Sequence, residues 1–197
     1  SDVLTKAHNI TLIPAIELSL DCPTGDLHLL AYNIDHHNRH FINTIHKLKI
    51  AREERILKIV HKLNAININL TVEDVKKECD GAAAGKPHVA RALIKRGLAS
   101  DIDSAIRKYL LKGKPAYVPK EKLDIETAFE LLESIGGLPV LAHPKSMNCR
   151  DEQEFKKILE SFIRYGLAGI EVYASMHNDA QVRHYSDIAR HYNLIMT

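Results

Sequence analysis

Apolar residues along this chain follow two rhythms. Short, nearly uninterrupted apolar runs bounded by glycine, proline or polar turn formers predict strands at residues 10–18, 27–34, 139–142, 168–173 and 194–197. The first two runs are separated by Cys22-Pro23-Thr24-Gly25-Asp26, rich in turn formers, and so predict a hairpin. Elsewhere apolar positions recur every three or four residues, as on one face of a helix. Residues 1–8 read as the end of a helix. Residues 36–66 read as a long one, with Ile42, Ile45, Leu48, Ile56, Ile59, Val60 and Leu63 on its apolar face. Asp124 to Ile135, Asp151 to Tyr165 and Asp179 to Tyr192 give three more, each followed by an apolar run. This alternation of helix and strand argues for an α/β fold with a parallel sheet or a βα barrel.

The middle of the chain breaks the alternation. Thr71-Val72-Glu73-Asp74 reads as a shortened capping box opening a helix to Cys79. After the flexible break Gly81–Gly85, Pro87 to Ile94 reads as a helix closed by Gly97. Ser100 or Asp101 caps another over Asp103–Leu111, and Lys112–Pro119 is an extended connector. This set of short helices has no strand of its own. Residues 65–115 are therefore expected to form a helical insertion, with 1–64 and 116–197 making the α/β portion.

Composition narrows the class. A chain of 197 residues, 45% hydrophobic and 26% charged, can hold one sizeable core, or one core with a small appended unit. No stretch approaches the length of a membrane span, and Ser1-Asp2-Val3-Leu4-Thr5-Lys6 is not a secretory signal. Cys22, Cys79 and Cys149 are odd in number, far apart and in no metal-binding spacing. They suggest free thiols in a reducing compartment, the cytoplasm. The formal net charge of +2 hides a segregation: residues 36–122 carry 19 Lys/Arg against 9 Asp/Glu, between acidic flanks. A basic middle of this kind can attract an anionic partner.

The candidate chemistry lies at the strand ends. Pro139-Val140-Leu141-Ala142 ends on His143 and is stopped by Pro144; such a histidine is a candidate metal ligand or proton carrier, or caps the strand end. Glu17 lies on an apolar strand, where a carboxylate needs a partner or a metal unless it faces water. His28 lies across the expected hairpin from it. A carboxylate with two imidazoles suits Zn, Mn or Fe. His36 and His40 share a helical face, but with no carboxylate pattern nearby they read as solvated helix residues. Glu171 ends a later strand and reads as structural or as a neighbour of the ligands.

The joint order of these motifs resembles the PHP (polymerase and histidinol phosphatase) superfamily. The segments that carry the resemblance are Ile13–Ser19, His28–Tyr32, Lys86–Arg91, Gly113–Pro119, Val140–Pro144 and Gly169–Tyr173. It is closest to the branch that hydrolyses nucleoside 3′,5′-bisphosphates and trims short RNA from the 5′ end. The resemblance implies an incomplete, distorted (β/α)7 barrel with a small helical domain inserted. It makes Glu17 a ligand bridging two divalent ions (Mn, Zn or Fe), with His28 and His143 each completing an ion's shell. His88, Arg91 and Lys114 would face the substrate phosphates, Arg91 through its bidentate fork. The family pattern also has a His-x-His strand, an Asp-His-Asp segment and a Ser-Asp-x-His segment, all absent here. The expectation is thus a fragment of a metal-dependent phosphoesterase, holding its metal incompletely and turning over little. The alternative is a non-catalytic anion- or nucleic-acid-binding module built on the basic middle, with phosphate contacts that weaken with salt.

Overall fold

The computed structural model describes residues 10–22, 25–81 and 83–197. The helix end expected over residues 1–8 and part of the hairpin turn lie outside them. The chain divides into two compact units, residues up to Ile42 with Lys122–Thr197, and Asn43–Glu121.

The first unit is built on a five-stranded mixed sheet in the order β1-β2-β3-β4-β5. Strands β1 (Ala15–Leu20) and β2 (Leu27–Tyr32) form the expected hairpin. Strand β3 (Leu138–Leu141) runs antiparallel to β2, and β4 (Gly169–Ile170) and β5 (Ile195–Met196) continue parallel to β3. Only β2 runs against the rest. The apolar runs are longer than the strands they make, and the region after β4 shows why. The N–H groups of Val172 and Tyr173 both donate to the Thr197 carbonyl, at 2.8 and 3.0 Å. Two successive donors on one acceptor end the regular ladder, whose donors otherwise face alternate sides.

Side chains alternate across this sheet. Leu18, Leu20, Leu27, Leu29, Ala31 and Leu141 are buried on one face, whereas Glu17, Ser19 and His28 lie on the other. Helices α5 (Ile125–Ser134), α6 (Glu152–Arg164) and α7 (Asp179–His191) begin at side-chain caps from Asp124, Asp151 and Asn178. Helix α5 packs on β1 and β3, and α7 on β4 and β5. Phe162 of α6 is fully buried, with its ring 5.8 Å from that of Phe129 on α5.

The second unit is helical. Helix α1 (Arg39–Asn64) enters it after its first turn. Short helices α2 (Val72–Lys76), α3 (Lys86–Lys95) and α4 (Ile102–Ala105) follow, and α4 runs into one π-turn at Ile106–Leu110. Leu63, Leu70, Val75, Val89, Leu93 and Leu110 meet in its core. The capping box at Thr71 is complete rather than shortened: the Asp74 N–H donates to Thr71 Oγ1 at 3.1 Å, and the Thr71 N–H to Asp74 Oδ2 at 2.9 Å. The helix it opens ends at Lys76, so Cys79 lies in the turn beyond. Asp101, rather than Ser100, caps α4. Among the described residues no helix is long and apolar enough to cross a membrane.

Two outcomes are expected. Replacing Phe162 with alanine removes a fully buried ring and should cost about 3–5 kcal/mol in denaturant unfolding. The Asp74 carboxyl is drawn down to about 2, chiefly by the hydrogen bond from the Thr71 main chain. Its contribution is complete above its ordinary value of 3.8 and fades as pH falls toward 2. Asp74→Asn should therefore flatten the acid limb of a pH–stability curve within that window.

Candidate metal centre

Three strands deliver one ligand-type side chain each to a single point. Glu17 comes from β1 and His28 from the start of β2; His143 follows β3. His28 Nδ1 is 3.0 Å from Glu17 Oε1 and 3.1 Å from His143 Nε2, and His143 Nε2 is 3.2 Å from Glu17 Oε1. The sheet explains the first two positions. Ser19 pairs with His28, so Glu17 and His28 share a face two residues apart along the hairpin. The Ala142 N–H donates to the His28 carbonyl at 3.1 Å, which carries the end of β3 to the same place. The two imidazoles meet edge to face, with centroids 5.0 Å apart.

His143 is held in an unusual backbone conformation, with φ 24° and ψ 66°. A residue with a Cβ resists positive φ, at a cost of about 1–3 kcal/mol. Glu171, just after β4, opposes this: its Oε2 accepts the His143 main-chain N–H at 2.7 Å. Beyond Pro144 the chain makes one 3₁₀ turn (Pro144–Met147). Within it Ser146 Oγ lies 2.8 Å from His143 Nδ1 and 2.8 Å from the Asp26 carbonyl oxygen. Asp26 in return donates its N–H to the Ser146 carbonyl at 3.0 Å. Gly25 sits so close beneath this turn that an added Cβ would fall 2.4 Å from the Ser146 carbonyl oxygen and 2.5 Å from that of Met147.

The donor set fits a divalent metal ion. One carboxylate oxygen and two imidazole nitrogens form a triangle with edges of 3.0, 3.1 and 3.2 Å. Those are separations that neighbouring ligands have around an ion with bonds of about 2.0–2.2 Å. The side chains are partly open to solvent, 47% exposed for Glu17, 26% for His28 and 19% for His143, which leaves a side free for water or substrate. Among the described residues these three form the group suited to a metal.

The other expected site residues lie in the second unit. His88 and Arg91 share a face of α3. His88 Nδ1 accepts the Gly85 N–H at 2.9 Å at the start of the helix. Burial first, then the positive charges of Arg91 and Arg52, push the His88 imidazole below its ordinary value. Arg91 Nε is buried without a hydrogen-bond partner. Lys114 is exposed in the turn after the π segment. Arg52, which the sequence pattern did not single out, joins His88 by donating from Nε to the Ala84 carbonyl at 2.6 Å. A helical periodicity that reads it as one of many solvated charges carries no signal for it.

Comparison with known proteins points to the same class of enzymes as the resemblance. No family model matches the chain. It is 29% identical over 172 residues to a 5′-3′ exoribonuclease of Haemophilus influenzae, covering 87% of this chain and 62% of that protein. It is 26% identical over 170 residues to a 3′,5′-nucleoside bisphosphate phosphatase of Chromobacterium violaceum, covering 86% of this chain and 59% of that protein. The chain is similar to these two enzymes along most of its own length. It spans about three fifths of the length of these relatives. An amidohydrolase structure from Chromobacterium violaceum, with bound sulfate and no metal, shares the fold at a TM-score of 0.84 and 24% identity; the match covers 98% of this chain and 68% of that one. The fold is thus shared with that structure over nearly the whole of this chain.

The His88 geometry carries an expected outcome. A neutral imidazole held below its ordinary 6.5 stabilises the fold fully above that pH, and loses the contribution as pH falls through its lowered folded value. His88→Ala should leave stability less dependent on pH just below 6.5 than in the parent chain, by thermal unfolding across a pH series.

Proposed function

We propose that this chain is part of a metal-dependent phosphoesterase that cleaves a phosphoester of a nucleotide, such as a nucleoside bisphosphate, or of short RNA. The observation that carries the reading is the convergence of Glu17, His28 and His143 from three strands at 3.0–3.2 Å. The names of the relatives, an exoribonuclease and a bisphosphate phosphatase, supply the substrate class. On this reading the five strands are part of a distorted (β/α)7 barrel, and the second unit is the domain inserted in it.

Glu17, His28 and His143 would hold a divalent ion, with Mn, Zn or Fe suited to one carboxylate and two imidazoles. When bound, such an ion polarises a phosphoryl oxygen and readies a water for attack. The chain's own part is to fix the ligand geometry. Glu17 brings negative charge, while His28 and His143 bring neutral lone pairs from β2 and from the end of β3. His88, Arg91 and Lys114, with Arg52 beside His88, would bind substrate phosphates, the arginines through their planar forks. Cys79 and Cys149 are free thiols, which suits a cytoplasmic setting.

The test is calorimetric titration with manganese and zinc, with hydrolysis of a nucleoside 3′,5′-bisphosphate assayed on this chain and on a longer form matching the length of the relatives. Metal binding by the 197-residue chain is expected to be weak but measurable. Glu17→Gln or His143→Ala should reduce it by more than the roughly 10–100-fold that loss of an outer partner causes. A longer form that binds no metal and leaves the bisphosphate intact would overturn the reading.

A further inference from the structure

We propose that Ser146 fixes the tautomer of His143, and so keeps Nε2 a bare acceptor aimed at Glu17 and His28. The inference deepens the metal site proposed above and rests on it for its purpose. A neutral imidazole carries one proton, and a metal ligand must present the other nitrogen. At His143 the two nitrogens face different partners. Nε2 faces Glu17 Oε1 at 3.2 Å and His28 Nδ1 at 3.1 Å, while Nδ1 faces Ser146 Oγ at 2.8 Å. Left to themselves the two sides compete, because an Nε2–H could donate to the Glu17 carboxylate.

Ser146 decides the contest through its own proton. Its hydroxyl has one hydrogen and lies within donor reach of two carbonyl oxygens, Asp26 at 2.8 Å and His143 at 3.0 Å. Donation to either carbonyl leaves only lone pairs toward Nδ1, so Nδ1 must bear the proton that completes the contact. The resulting chain runs from His143 Nδ1–H to Ser146 Oγ–H to the Asp26 carbonyl. The opposite tautomer would need the hydroxyl to turn away from both carbonyls. In the metal-free chain the second imidazole agrees: a proton on His28 Nδ1, which a metal would displace to the other ring nitrogen, can lie between Glu17 Oε1 at 3.0 Å and the bare His143 Nε2 at 3.1 Å. Ser146 itself is anchored by the mutual main-chain bond with Asp26 and by its N–H donating to the His143 carbonyl at 2.9 Å. Ser146 is thus a positioning residue acting through His143.

The experiment is long-range ¹H–¹⁵N NMR of the histidine rings in the metal-free 197-residue chain, with His143 assigned by its loss in His143→Gln. The expected result is an Nδ1–H tautomer in the parent chain and in Ser146→Thr, and a mixed or Nε2–H signal in Ser146→Ala. Zinc affinity by calorimetry should fall about 10–100-fold in Ser146→Ala and return in Ser146→Thr. An Nε2–H signal in the parent chain overturns the proposal even if Ser146→Ala fails to fold. An unchanged Nδ1–H signal in a folded Ser146→Ala overturns it as well. An Nδ1–H parent that shifts in Ser146→Ala, where the longer form also binds no zinc, supports the relay while overturning the metal reading.

Discussion

The register of β2 between β1 and β3 is the constraint on which the centre depends. Because side chains alternate with a period of two, sliding β2 by one residue would turn His28 into the buried face and bring Leu29 to Glu17. The buried face resists that slip. Leu27, Leu29 and Ala31 of β2 are all 1% exposed or less, opposite Leu18 and Leu20 of β1 and Leu141 of β3. The apolar side of the sheet thus fixes the chemistry of the polar side. No interaction within the triad could do this alone, since partly exposed charges interact weakly across water.

His143 is placed by a different means. It has left the ladder, and its positive φ would relax if nothing held it. Its main-chain N–H donates to the Glu171 carboxylate, a charge-assisted bond of the stronger kind. Its ring Nδ1 lies 2.8 Å from Ser146 Oγ, and its carbonyl accepts from the Ser146 N–H. Several modest bonds to one residue are together comparable with the strain they oppose. The outcome is a ring whose direction is set from the side facing away from the triad, in the way outer partners commonly set metal-binding histidines.

Much of the frame was legible in the sequence, for definable reasons. Apolar runs with Gly and Pro boundaries located all five strands, and helical periodicity located the helices that Asp124 and Asp151 prove to cap. Glu17, His28 and His143 stood out because a polar side chain in or beside an apolar run needs an explanation. Ser146 did not, because its partner is the main-chain carbonyl of a residue 120 positions away, and any residue offers one. Glu171 could be read as supporting, but not that it would hold the backbone of His143. The positive φ at His143 was equally silent, since it arises from what the neighbouring strands demand rather than from a glycine. The two-residue length of β4 followed from Thr197 accepting two donors, a fact of the fold and not of the run Ala168–Tyr173.

The turn beneath the centre has an implication for how the sequence can drift. Gly25 must stay small because its Cβ would meet two carbonyl oxygens, whereas Asp26 serves Ser146 only through its own N–H and C=O. Selection should therefore hold position 25 almost invariant and leave position 26 open to anything but proline. A column of free variation would sit beside one of near-complete fixity. The variable member would still be a working part of the site, invisible to any search that equates function with a conserved side chain.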